Sequence, residues 1–158
     1  MPAISINDNA VLSLAERRRQ ASRELMRGEI LAAAQHIIRT NGMDALSLRA
    51  LAKAVGVTAP ALYEYFPNKD AILRALFIEG SNMMLTLMEQ TIALSAPGIP
   101  QIMAVLNGYR AFAHEEPDYF RLLFGTVDPA LELAEDDYAS MERIFNRFIG
   151  IISDAIAQ

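Results

Sequence analysis

The side chains able to do covalent or metal chemistry are few in this chain and poorly spaced for it. There is no cysteine, which removes thiolate nucleophiles, disulfides and cysteine zinc sites together. The two histidines, His36 and His114, lie far apart. His114 is followed by Glu115, Glu116 and Asp118, but neighbouring residues on a helix fan outward, so this run does not read as a metal site. No Gly-rich phosphate loop, HExxH or GxSxG occurs. The chain is therefore expected not to be an enzyme, with no metal and no cofactor. What remains is binding chemistry. Ser47, Thr58, Tyr63, Tyr65 and Lys69 bring hydroxyls, phenols and an ammonium into one short stretch, groups able to donate hydrogen bonds.

Those residues need helices to position them, and the sequence supplies helical periodicity throughout and no strand pattern. Met26, Ile30, Ala33 and Ile37 recur at helical spacing from about 22 to 40, and Asn41-Gly42 ends that helix. Ser47 is placed to cap a helix carrying Leu48, Leu51, Ala52 and Val55, which Gly56 terminates. Thr58 can cap a third helix with Pro60 in its first turn, ending at Phe66-Pro67. Leu62 and Phe66 from this helix should close a small core with Leu48, Leu51, Ala52, Val55 and Val57. Tyr63 and Tyr65, two apart, cannot both enter that core, so at least one phenol should point outward. Asn68 can cap a long fourth helix reaching Ala96-Pro97. A helix from about Ile99 to His114, a short aromatic one from Tyr119 to Phe124, and a last one through Phe148 and Ile152 complete an all-α fold.

Charge divides the chain. The net charge is −5, yet residues 16–74 hold ten Lys or Arg against six Asp or Glu, while residues 75–158 hold four against twelve. A basic head on an acidic body is the distribution expected of a protein that presents one part to nucleic acid. Residues 1–21, ending with Arg17, Arg18 and Arg19, read as a flexible basic arm able to reach DNA. No apolar run approaches the length of a membrane span, and the N-terminus lacks the pattern of a signal peptide, so the protein is expected in the cytoplasm and away from membranes.

The stretch LSLRALAKAVGVTAPALYEYFPNKDAILRAL resembles the DNA-binding signature of the tetracycline-repressor-like (TetR/AcrR) family of bacterial transcriptional regulators. The resemblance rests on NGMDALSL before the second helix, the Ala-Lys-Ala-Val-Gly-Val turn, the Leu-Tyr-Glu-Tyr-Phe end of the third helix, and Asn-Lys-Asp opening the fourth. It implies a helix-turn-helix domain at 22–68 and a helical effector-binding and dimerisation domain at 69–158. It further implies a regulator, a repressor by the family's habit, that binds double-stranded operator DNA as a homodimer and is released by a small apolar or amphipathic effector. Tyr63, Tyr65 and Lys69 then stand where family members touch DNA backbone. Ser47 and Thr58 join them, and Ala59, Pro60 and Ala61 occupy the base-reading positions. These last three depart from expectation, because none can pair bidentately with a base. A helical ligand-binding or interaction module with weak or no sequence-specific DNA binding is the alternative.

For the body, GYRAFAHEEPDYFRLLFG is similar to one recurring variant of the effector domain. Met84, Met88, Met103, Tyr109, Phe112, Phe120 and Phe124, with Met83, could line an apolar pocket, since methionine adapts to varied ligands. Family members are usually longer, so the domain at 69–158 is expected to be short or incomplete at its C-terminus.

Overall fold

The computed structural model describes residues 13–125 and 133–157. Among these the chain is all-α, with no strand. The helices are α1 (Leu14–Asn41), α2 (Leu48–Val55), α3 (Ala59–Tyr63), α4 (Lys69–Ala93), α5 (Ile99–Glu115), α6 (Pro117–Phe124) and α7 (Ala139–Ile156). Short 3-10 turns at Met43–Ala45 and Glu135–Tyr138 precede α2 and α7.

The local signals behind these boundaries are mostly side-chain caps. Ser47, Thr58 and Asn68 each accept a hydrogen bond from the backbone N–H three residues on, at 3.2, 3.3 and 2.8 Å. Gly42 and Gly56 end α1 and α2 with φ of +85° and +72°, where a Cβ would be strained. α3 is shorter than expected. It stops at Tyr63, and Glu64 to Phe66 continue as a turn, with the Tyr65 and Phe66 N–H groups both bonded to the Leu62 carbonyl.

The flexible arm is a correction. α1 begins at Leu14, so Arg17, Arg18 and Arg19 stand on a helix, while residues 1–12 lie outside the described part of the chain. The cause is a reciprocal cap: the Glu16 N–H donates to Ser13 Oγ at 3.2 Å, and the Ser13 N–H donates to Glu16 Oε2 at 2.7 Å. Side chains from 13 to 25 are exposed, so capping and the helix preference of Ala, Leu, Arg, Gln and Glu carry these turns instead of burial.

α4 also corrects an expectation. By length and composition alone it could cross a membrane. Half of its most apolar window is buried within the fold, around Leu76, Phe77, Met84 and Leu85, which is the position of a core helix.

Head and body share one core. Ile30 and Ala34 of α1, Leu51 and Ala52 of α2, Leu62 and Phe66 from α3 and the turn after it, and Ile72, Leu73 and Leu76 of α4 form a continuous buried cluster with Phe112, Tyr119 and Leu122. Each large apolar side chain buried this way contributes about 1.5–3 kcal/mol. Leu48, Val55 and Val57 pack against the cluster from its edge. α6 meets α4 closely: a Cβ at Gly80 would lie 2.8 Å from the Tyr119 ring. Burial and the Glu79 carboxylate push the Tyr119 phenol well above its ordinary pKa, so that ring stays neutral in the core.

Two buried aspartates tie the helices together through ion pairs. Asp118, on α6, is buried and accepts from Arg39 of α1 at 3.0 Å, with Arg121 at 3.5 Å. Asp137, before α7, takes both arms of Arg74 on α4 at 2.8 and 3.1 Å, and the Ala134 N–H at 2.7 Å. The Arg74 guanidinium holds its carboxyl below the usual range.

Candidate nucleic-acid interface and body cavity

α3 is a five-residue helix, too short to be rigid by itself. Its position is set by neighbours on both sides. Leu62 and Phe66 anchor one face in the core. At its far end, the carbonyls left unsatisfied by the helix are taken by arginines of α1. Arg23 Nη2 donates to the Glu64 carbonyl at 3.1 Å, and Arg27 Nη1 to the Tyr65 carbonyl at 2.9 Å. The Arg27 guanidinium also lies 4.3 Å from the centroid of the Phe66 ring, and that of Arg23 lies 5.9 Å from the Tyr65 ring. Cations at a helix C-terminus are favourable, and stacked guanidinium adds to the grip.

Tyr63 and Tyr65 separate as the spacing requires. Tyr63 is 54% exposed, while Tyr65 is half-buried beside Arg23 and packs against the core. Lys69, in the first turn of α4, is half-buried and donates from Nζ to the Met43 carbonyl at 3.1 Å. That contact uses one of three ammonium donors and holds the charge beside the turn that precedes α2. Ser47 and Thr58 are exposed, with their oxygens accepting cap bonds and their hydroxyl hydrogens free to turn outward. Pro60 is exposed, and Ala59 and Ala61 are half-buried, so the outer face of α3 is small and apolar.

Sequence reasoning missed Arg23 and Arg27. Their signal was present: two arginines four apart share one face of a helix, and they precede a recognition helix whose last carbonyls lack partners.

The body holds a cavity of about 300 Å³ between α4, α5 and α7, with the end of α6 at its edge. Met84, Met88, Tyr109 and Phe124 line it, as the sequence suggested. Three expected residues do not. Met103 is 53% exposed on the outer side of α5, and Phe112 is buried in the main core. Phe120 stands behind the wall, its ring 5.1 Å from Tyr109 and 5.0 Å from Phe124. Met83 instead faces a groove between α1 and α4. The larger omission was α7, which contributes Met141, Ile144, Phe145 and Phe148. Periodicity shows that a helix has an apolar face but not what that face meets. Among the described residues no group of His, Asp and Glu is arranged to hold a metal ion.

Residues 30–76 match the family described as "Bacterial regulatory proteins, tetR family". The HTH-type transcriptional regulator Mb1846 of Mycobacterium bovis is 26% identical over 144 residues, which are 89% of this chain and 59% of that protein. Tetracycline repressor protein class G of Vibrio anguillarum is 43% identical over 53 residues, 34% of this chain and 25% of the repressor. Among solved structures, the regulatory protein SCO4313 superposes with a TM-score of 0.72 at 30% identity, over 88% of this chain and 64% of that one. The chain thus spans under two thirds of the length of these curated relatives.

Proposed function

We infer, from a head that belongs to the TetR family of bacterial regulatory proteins, that this chain is a transcriptional regulator that binds operator DNA through α2 and α3. The observation that carries this reading is the fixed, outward-facing α3. Its apolar face is anchored by Leu62 and Phe66, its end is held by Arg23 and Arg27, the Tyr63 phenol is exposed on it, and the Lys69 ammonium stands at the turn before α2. In this arrangement Tyr63, Tyr65, Lys69 and Ser47 meet phosphates, while Thr58, Ala59, Pro60 and Ala61 face the floor of the major groove. Arg17, Arg18 and Arg19, on the exposed first turns of α1, extend the basic surface toward the neighbouring backbone. The acidic body stays off DNA.

The remaining parts of the reading follow the family's habit. The protein acts in the cytoplasm as a homodimeric repressor on two half-sites, and an effector in the body cavity releases it. α6 offers the route: Phe124 at one end borders the cavity, and Asp118 at the other holds Arg39 of α1. An effector shifts the equilibrium only if it binds the non-DNA conformation more tightly.

The test is binding to random duplexes at low salt, followed by titration with salt and selection of an operator. The reading expects measurable binding that weakens steeply with salt and a recoverable operator. Absence of binding at low salt would favour a ligand-binding or interaction module, the alternative to which the small apolar residues of α3 point.

A further inference from the structure

The cavity has a wall chemistry that restricts its occupant. Every side chain lining it is apolar or aromatic except that of Thr91, with the Tyr109 phenol at the rim. Among the described residues no lysine, arginine, aspartate or glutamate lines it. Arg143 and Glu89, on two of the flanking helices, pair with each other at 3.2 Å at the surface. Thr91 has no donor to spare, since its hydroxyl donates to the Leu87 carbonyl at 2.7 Å; it can only accept. The mouth is equally apolar, with Leu106, Phe124 and Phe145 exposed around it. An ionised group brought inside would lose its water and find no countercharge, which is unfavourable whatever its sign. The methionines Met84, Met88 and Met141 tolerate varied shape but offer no charge.

We infer that this cavity takes an uncharged hydrocarbon-rich ligand of about ten to fifteen non-hydrogen atoms, a volume set against roughly 30 Å³ per water molecule, carrying at most a hydroxyl. This deepens the effector reading of the same cavity and rests on it for biological meaning, but not for the binding itself. Ligands built around a carboxylate or an ammonium are disfavoured, and an alcohol is preferred over either because its O–H can donate to Thr91 without bringing a charge into the cavity.

The experiment uses the whole chain and the neutral fluorescent probe 1-aminonaphthalene, whose size falls within that class. The probe is displaced in turn by 1-decanol, decanoate and decylammonium at neutral pH. The expected result is displacement by decanol, with both ions weaker by about tenfold or more. Leu106→Trp, at a half-exposed rim position, and Gly108→Val, where an added Cβ faces Thr91 at 3.5 Å, should both abolish probe binding while thermal melts report an intact fold. Equal displacement by either ion would overturn the inference, as would no probe binding to the wild type or binding untouched by both folded variants. Operator release is read separately, by adding decanol to a protein–duplex complex. Binding without release would leave the ligand class standing and remove the effector role.

Discussion

Arg27→Met asks whether α1 holds the recognition helix or merely borders it. The guanidinium has two partners: the Tyr65 carbonyl at 2.9 Å and the face of Phe66 at 4.3 Å. A hydrogen bond from a charged donor is worth about 1.5–3 kcal/mol, and partial exposure of Arg27 puts this one at the low end. The cation–ring contact adds about 0.5–2 kcal/mol. Methionine keeps the apolar stem, and its helix preference matches that of arginine, so no other contribution offsets the loss. The expected destabilisation is about 2–3 kcal/mol, which for a chain of this size lowers Tm by about 5–10 °C. Arg27→Lys should fall between, because an ammonium can reach the carbonyl but cannot lie flat on the ring. In DNA binding, the variant should lose affinity, more for its operator than for random duplex, since α3 is less firmly seated, yet keep the wild-type slope of log affinity against log salt. Thermal melts and a salt titration decide it. An unchanged Tm with a slope shallower by about one would refute the reasoning, because it would mean that Arg27 contacts a phosphate instead of the protein.

Lys69→Ala should combine the two effects: loss of the bond to the Met43 carbonyl lowers Tm, and the salt slope flattens by about one per head, as read in the same melts and titration. Gly80→Ala should destabilise, because the new Cβ would press on the Tyr119 ring at 2.8 Å. Overpacking of about 1–3 kcal/mol outweighs the roughly 1 kcal/mol gained in helix preference. Gly28→Ala, with nothing within 4 Å of the added carbon, should stabilise by up to about 1 kcal/mol in the same melts. For Asp137, the lowered folded pKa means that its contribution is present above the unfolded value and is lost as pH falls through the folded one. Asp137→Asn should therefore be less stable than wild type at neutral pH, with the difference closing below about pH 4, as followed by denaturation across pH. A difference that grew on acidification would contradict the Arg74 pairing.

The head was legible because its elements are locally determined. Caps at Ser47, Thr58 and Asn68 and stops at Gly42 and Gly56 each act within one turn of chain, so residue types alone disclose them. Ser13 and Glu16 carry a capping signal of the same kind, yet the exposed arginines that follow read as an arm, because periodicity is silent where a helix buries nothing. The body was legible as helices but not as an assembly. Met103, Phe112 and Phe120 share an apolar character with Met84 and Met88, and only the packing of α5 against α4 and α7 sorts them into surface, core and cavity. The partners of Arg39 and Arg74 lie 79 and 63 residues away, beyond any local pattern.

On the proposed reading, the small face of α3 limits how this protein can discriminate among sequences. A bidentate contact to a base edge is worth about 1–3 kcal/mol of selectivity, and Ala59, Pro60 and Ala61 can make none. Thymine methyls give these side chains an apolar contact, and Thr58 and Tyr63 supply the hydrogen bonds available nearby. Most selectivity must then come from how readily a duplex adopts the shape that backbone contacts demand. Such readout depends on a rigid frame, since a loosely held helix accepts many groove geometries. Arg23 and Arg27 closing the end of α3, and Lys69 tied to Met43, are what make that frame stiff. Loosening it should therefore reduce discrimination between operator and random duplex, and not affinity alone. In the Arg27→Met protein the ratio of the two affinities should shrink toward one, and a ratio equal to wild type in a protein with lowered Tm would separate the frame from specificity.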